Sequence, residues 1–75
     1  MPPIIDLLEL NTQLMDAAFN GHTETVQALL AKGADVNNKN SNGCTALMYA
    51  ARNGHTETVQ ALEDFAQGGS NAINN

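Results

Sequence analysis

Apolar residues recur along this chain with helical rather than strand spacing. Leu14, Ala17 and Ala18 stand at i, i+3 and i+4, and so do Leu47, Ala50 and Ala51. Each set is a narrow stripe that predicts a short amphipathic helix facing inward. A second stripe follows each of the first: Val26, Leu29 and Leu30, then Val59 and Leu62. Four short helices are therefore predicted, over residues 12–20, 23–32, 45–53 and 56–65. Gly21 and Gly54 end the first helix of each pair and Gly33 ends the second, because a helix C-terminus favours a left-handed residue without a Cβ. Thr45 is placed to cap the third helix, since its hydroxyl can accept a free first-turn N–H. Thr12 is its counterpart at the start of the first.

The two helix pairs are copies of each other. Residues 20–29, Asn-Gly-His-Thr-Glu-Thr-Val-Gln-Ala-Leu, recur unchanged at 53–62. Over residues 12–29, fifteen of eighteen positions are identical at an offset of 33, which duplication explains and chance does not. The exceptions are Gln13/Ala46, Asp16/Tyr49 and Phe19/Arg52. The pairs Ala17-Ala18 and Ala50-Ala51 leave room for close approach of neighbouring helices, where bulky residues would force them apart. Between the copies lies Gly33-Ala-Asp-Val-Asn-Asn-Lys-Asn-Ser-Asn-Gly43. Its Asn42-Gly43 pair is a strong tight-turn signal, so a β-turn or hairpin finger is expected to project there.

These residues resemble the ankyrin repeat family. The 33-residue period, a T-P-L-H-x-A helix start and a G-A-D-V-N connector are its marks. This chain has Thr45-Ala-Leu-Met-Tyr-Ala50, Asn53-Gly-His55 and Gly33-Ala-Asp-Val-Asn37. The resemblance covers about residues 12–62. Ala46 stands where the family usually has Pro, and Met15 and Met48 stand where it usually has His. Met fills that space without the hydrogen bonds of the imidazole. The resemblance implies an all-α, helix-turn-helix repeat solenoid with a β-turn or hairpin finger between repeats. It also implies a non-catalytic module that binds another protein.

Seventy-five residues make at most one small and marginal domain. Repeat stacks need end units with a polar outer face. Ile4, Ile5, Leu7, Leu8 and Leu10 suit a short separate helix covering the first repeat. The expected organisation is a capping segment at 1–11, a first repeat at 12–39, a second with a degenerate end at 40–67, and a disordered tail at 68–75. At that degenerate end Glu63 takes the register of Leu30, and an unpaired buried carboxylate would be costly. That face is expected to be wet, with no third repeat on it. A C-terminal cap and a decayed repeat both fit.

Charge and chemistry narrow the function further. The formal charge is −5, with Lys32, Lys39 and Arg52 as the only basic side chains. Nucleic-acid binding needs a basic face that displaces counterions, so neither nucleic acid nor an anionic membrane is expected as a partner. One cysteine excludes an internal disulfide and fits a reducing compartment, for which the cytoplasm is the default. The apolar start is interrupted by Asp6 and Glu9 and lacks a basic lead, which fits neither a signal peptide nor a membrane span.

No cofactor, metal or catalytic group is expected. His22-Thr-Glu24 and His55-Thr-Glu57 match the H-x-E part of a zinc deaminase signature, which also needs a P-C-x-x-C partner. The two histidines lie one repeat apart, roughly 10 Å for packed helices, too far for one metal with bonds of about 2 Å. Turn histidines bonded to nearby backbone are the expected alternative. Cys44 has no cationic neighbour placed to activate it and is expected to be an exposed, inert thiol.

In the family, ligands usually contact the fingers and the exposed side of the first helices. Carried over by position, that implies Lys39, Asn40, Ser41, Asn42, Cys44, Arg52 and Asn53 in the second unit. It implies Asp16, Phe19 and Asn20 in the first, with Tyr49 in the register of Asp16. The mismatches between the copies point the same way, because they mark positions that the shared fold does not dictate. Phe19 with Tyr49 and Arg52 is the favoured patch. A self-associating unit whose open repeat faces form a homo-oligomer, or a fragment of a longer repeat protein, are the alternatives.

Overall fold

The computed structural model describes residues 7–68, and within them the chain forms four helices with no strand. They are α1 (Leu7–Phe19), α2 (Thr23–Ala31), α3 (Ala46–Arg52) and α4 (Thr56–Ala66). Each unit is a helical hairpin, α1 against α2 and α3 against α4, and the hairpins stack with α1 on α3 and α2 on α4. One apolar core runs between the layers. Leu14, Val26 and Leu62 are fully buried at its centre, and Ala18 and Ala50 are at 0 % exposure, so the small residues do permit the close approach expected of them.

The glycine turns have a common hydrogen-bond pattern. His22 N–H donates to the Ala17 carbonyl and Gly21 N–H to Ala18, with Gly21 at φ +72°. His55, Gly54, Ala50 and Ala51 repeat the arrangement one unit later, with Gly54 at φ +74°. These are Schellman ends, which satisfy carbonyls that the helix itself leaves free. Thr45 caps α3 as expected, its hydroxyl accepting from Met48 N–H at 3.3 Å.

The finger is a single tight turn without a strand pair. Gly43 N–H donates to the Asn40 carbonyl and Asn40 N–H to the Cys44 carbonyl. The Asn40 carboxamide oxygen accepts from both Asn42 N–H and Cys44 N–H, an Asx arrangement that holds the loop from inside.

Three expectations need correction. The separate capping helix and a helix starting at Thr12 are one continuous α1 from Leu7; residues 1–6 lie outside the described residues, as do residues 69–75 of the expected tail. Nothing between Leu7 and Thr12 breaks a helix, and Thr12 bonds its hydroxyl back to the Leu8 carbonyl instead of capping. Asn11 is buried, and its side-chain oxygen accepts Asp35 N–H at 2.7 Å, pinning the connector after α2 to α1. Ala51, expected inside, is exposed, and Leu47 is half-buried. Their counterparts Ala18 and Leu14 are buried because the second unit covers them. Ala46, read as a surface mismatch, is at 1 % exposure, because the first unit packs on it.

Candidate functional site

The Schellman end of α1 turns the chain so that the last residue of that helix, Phe19, meets the second unit. Its carbonyl accepts from Asn53 Nδ2 at 2.9 Å and from His55 Nε2 at 3.0 Å. A carbonyl only accepts, so Nε2 carries the ring proton. The expected histidine-to-backbone bond is thus made by His55, across the repeat boundary. The His55 ring also fills the space over Gly21, where a Cβ would lie 2.6 Å from Nδ1. Two side chains of the second unit therefore hold the end of α1, and with it the Phe19 ring.

That ring is half exposed and packs edge-on against Tyr49, with centroids 5.7 Å apart and planes at 65°. This is the geometry favoured by the ring quadrupoles. The Arg52 guanidinium carbon sits 5.9 Å from the centroid of the Tyr49 ring, at the outer range of a cation–π contact. Tyr49 is anchored from its other end, since Asn40 Nδ2 donates to its hydroxyl at 2.7 Å. The Asn40 carboxamide thus links the finger to the aromatic pair. Beside the pair opens a hollow of about 350 Å³ lined by Thr12, Met15, Asp16, Phe19, Asn40 and Tyr49.

The structure brings together Asp16, Phe19, Asn40, Tyr49 and Arg52 from the sequence-derived set. Lys39, Ser41 and Asn42 are exposed on the finger. Asn20 and Asn53 are exposed, but their amides are committed to the Asp16 and Phe19 carbonyls. Cys44, expected to be exposed, is half-buried in the turn, its Sγ 3.9 Å from the Asn42 carbonyl. Thr12 and Met15 were not singled out as site residues. Both are unchanged between the copies, so no mismatch pointed to them. The available signal was helical spacing: Thr12, Met15, Asp16 and Phe19 follow one another at i, i+3, i+4 and i+7 along one face of α1.

Among the described residues, no three His, Cys, Asp or Glu side chains converge as metal ligands, and no helix is long and apolar enough to cross a membrane. A second hollow, of about 270 Å³, lies between the repeats at the start of α4, lined by Gly21, Thr23 and residues 54–58. Its floor is a hydroxyl pair, Thr23 Oγ1 to Thr58 Oγ1 at 2.7 Å, which joins α2 to α4.

Stacked helical hairpins with a turn finger beside their first helices define a helix-turn-helix repeat solenoid. A family model for ankyrin repeats, present in many copies, matches residues 14–63. That is two thirds of the chain, and the protein belongs to the ankyrin repeat family. Members of this family are generally non-catalytic protein–protein interaction modules. No curated protein matches the chain.

Proposed function

We propose that this chain is a non-catalytic binding module that takes a protein partner on the face formed by α1, α3 and the turn finger. The observation that carries this reading is the cluster of half-exposed Phe19, Tyr49 and exposed Arg52 beside the 350 Å³ hollow. Aromatic and Arg side chains are the residue types that most often dominate interface energetics, above all where they flank a cavity. Here they are also held in place before binding: Asn40 fixes Tyr49, and Asn53 and His55 fix the backbone under Phe19. A side chain ordered in advance gives up less entropy on association. Asp16 supplies the single carboxylate of the lining, and Lys39, Ser41 and Asn42 add exposed polar groups on the adjoining finger. The single thiol and the family's general role suit an intracellular partner in the reducing cytoplasm.

The test is affinity capture from a lysate of the source organism with the wild-type chain beside Phe19→Ala/Arg52→Ala. Both side chains project from the surface, so the double variant keeps its helical circular dichroism. The expected result is loss of the partner bands. Retention of the same partners by a folded double variant would overturn this choice of surface.

A further inference from the structure

Among the described residues, the duplication leaves an uncovered copy of each half of the internal interface. In the internal stack, the outgoing face of the first unit buries Met15, Ala18 and Val26. Their copies on the second unit are Met48 at 45 % exposure, exposed Ala51 and half-buried Val59. The receiving face of the second unit buries Ala46 and Thr58 at 1 % exposure. Their copies on the first unit, Gln13 and Thr25, are exposed. One end of the stack is therefore a near-copy of a surface that the other end is built to accept.

We propose that a second copy of this chain stacks end to end on the first, seating the Gln13 and Thr25 face of α1–α2 against the Met48 and Ala51 face of α3–α4. Three polar and steric features fit this occupant at the same 33-residue offset. Thr23 Oγ1 bonds Thr58 Oγ1 inside the chain; between copies Thr56 meets Thr25, and both are exposed. The Phe19 carbonyl takes His55 inside the chain; between copies the Arg52 carbonyl takes His22, which is also exposed. Gly21 has the His55 ring packed where its Cβ would be, whereas Gly54 has nothing within 4 Å. The His22 ring of the second copy fills that space.

Two residues oppose the contact. Glu63 stands in the register of buried Leu30, and Gln13 in that of buried Ala46. With −5 on each copy they hold the association weak, although physiological salt limits the charge repulsion to a range of about 8 Å. A contact between two different faces does not close on itself, so copies add in a row instead of stopping at a symmetric dimer. At the same offset the internal contact of Phe19 with Tyr49 becomes Arg52 against Asp16 of the next copy, so this surface borders the cluster proposed for partner binding at those two residues.

Sedimentation velocity on the full chain, from about 10 μM to about 1 mM, tests this. The expected weight-average mass rises with concentration and passes that of a dimer. Gln13→Ala/Glu63→Leu restores both mismatched positions and tightens the association by about tenfold or more, the worth of one buried Leu. Ala51→Arg blocks one face and Thr25→Arg the other. Each alone is expected to be monomeric, and an equimolar mixture forms a 1:1 complex that grows no further. Met48→Arg replaces Ala51→Arg should the latter lose its helical circular dichroism. The proposal is overturned if wild type and Gln13→Ala/Glu63→Leu both stay monomeric to about 1 mM, which leaves these faces to another partner or none. It is equally overturned if Thr25→Arg dimerises by itself, which shows that identical faces pair.

Discussion

The duplication supplies an internal control for the packing at the repeat boundary. Gly21 and Gly54 occupy equivalent Schellman ends with φ of +72° and +74°. Replacing either by Ala places a Cβ in the left-handed region, at roughly 1–2 kcal/mol, and that cost should be common to both. What differs is the neighbour. A Cβ on Gly21 would lie 2.6 Å from His55 Nδ1, 2.8 Å from Cγ and 2.9 Å from Cε1, whereas one on Gly54 meets nothing within 4 Å. Contacts of that length require the ring to move, and the bond from Nε2 to the Phe19 carbonyl goes with it. A hydrogen bond of this kind contributes about 0.5–1.5 kcal/mol. Gly21→Ala should therefore destabilise the chain by about 1 kcal/mol more than Gly54→Ala, which for a domain of this size separates the melting temperatures by roughly 4–8 °C. Urea melts followed by circular dichroism on dilute samples, with sucrose added to raise the baseline stability, measure the difference. His55→Ala closes the cycle: without the ring, the two alanine substitutions should cost the same. Equal costs in the wild-type background, within about 0.3 kcal/mol, would refute the ring's role as the filler of that space.

Two further outcomes are expected. Thr58 is at 1 % exposure and bonds Thr23, so Thr58→Val should cost about 0.5–1.5 kcal/mol, and Thr23→Val/Thr58→Val less than the sum of the two single changes; strict additivity in urea melts contradicts a direct hydroxyl pair. Asn40→Ala removes both turn acceptor bonds and the amide on the Tyr49 hydroxyl. Because Tyr49 is the only tyrosine and no tryptophan is present, intrinsic fluorescence reads this residue alone, and an unchanged emission intensity and quenching by iodide would show that Asn40 does not hold the ring.

Much of the fold was legible because the chain states it twice. The apolar spacing, the glycine ends and the Thr45 cap are local signals, and each led to the helix that the structure contains. The run into α1 was misread for a local reason. The start of the third helix at Thr45 was carried over to Thr12 by the repeat, yet Leu10 and Asn11 carry no turn chemistry to end a helix before it. Asn11 is a poor helix former in isolation, but here its carboxamide receives Asp35 N–H, a partner 24 residues away that no local window contains. The hydroxyl pair of Thr23 and Thr58 was hidden in the same way, because it exists only once the units stack.

The candidate site shows where a comparison of the copies succeeds and where it fails. Two of the three mismatches, Asp16/Tyr49 and Phe19/Arg52, do meet at one place: all four residues lie on or beside the hollow. The third fails in one copy only, since Gln13 is exposed while Ala46 is buried. Equivalent residues of a repeat share a conformation but not a neighbour. The receiving face of the second unit is core, and that of the first is surface. A small residue is required at position 46 by the helix packed over it, whereas position 13 tolerates Gln because no described residue covers it. The same asymmetry explains why Ala51 is exposed and Ala18 is not. Divergence between copies therefore reports on function only where both copies have the same neighbours. Phe19 and Arg52 meet that condition only in part: both lie against Tyr49, but the Phe19 carbonyl also takes Asn53 and His55 from the next unit.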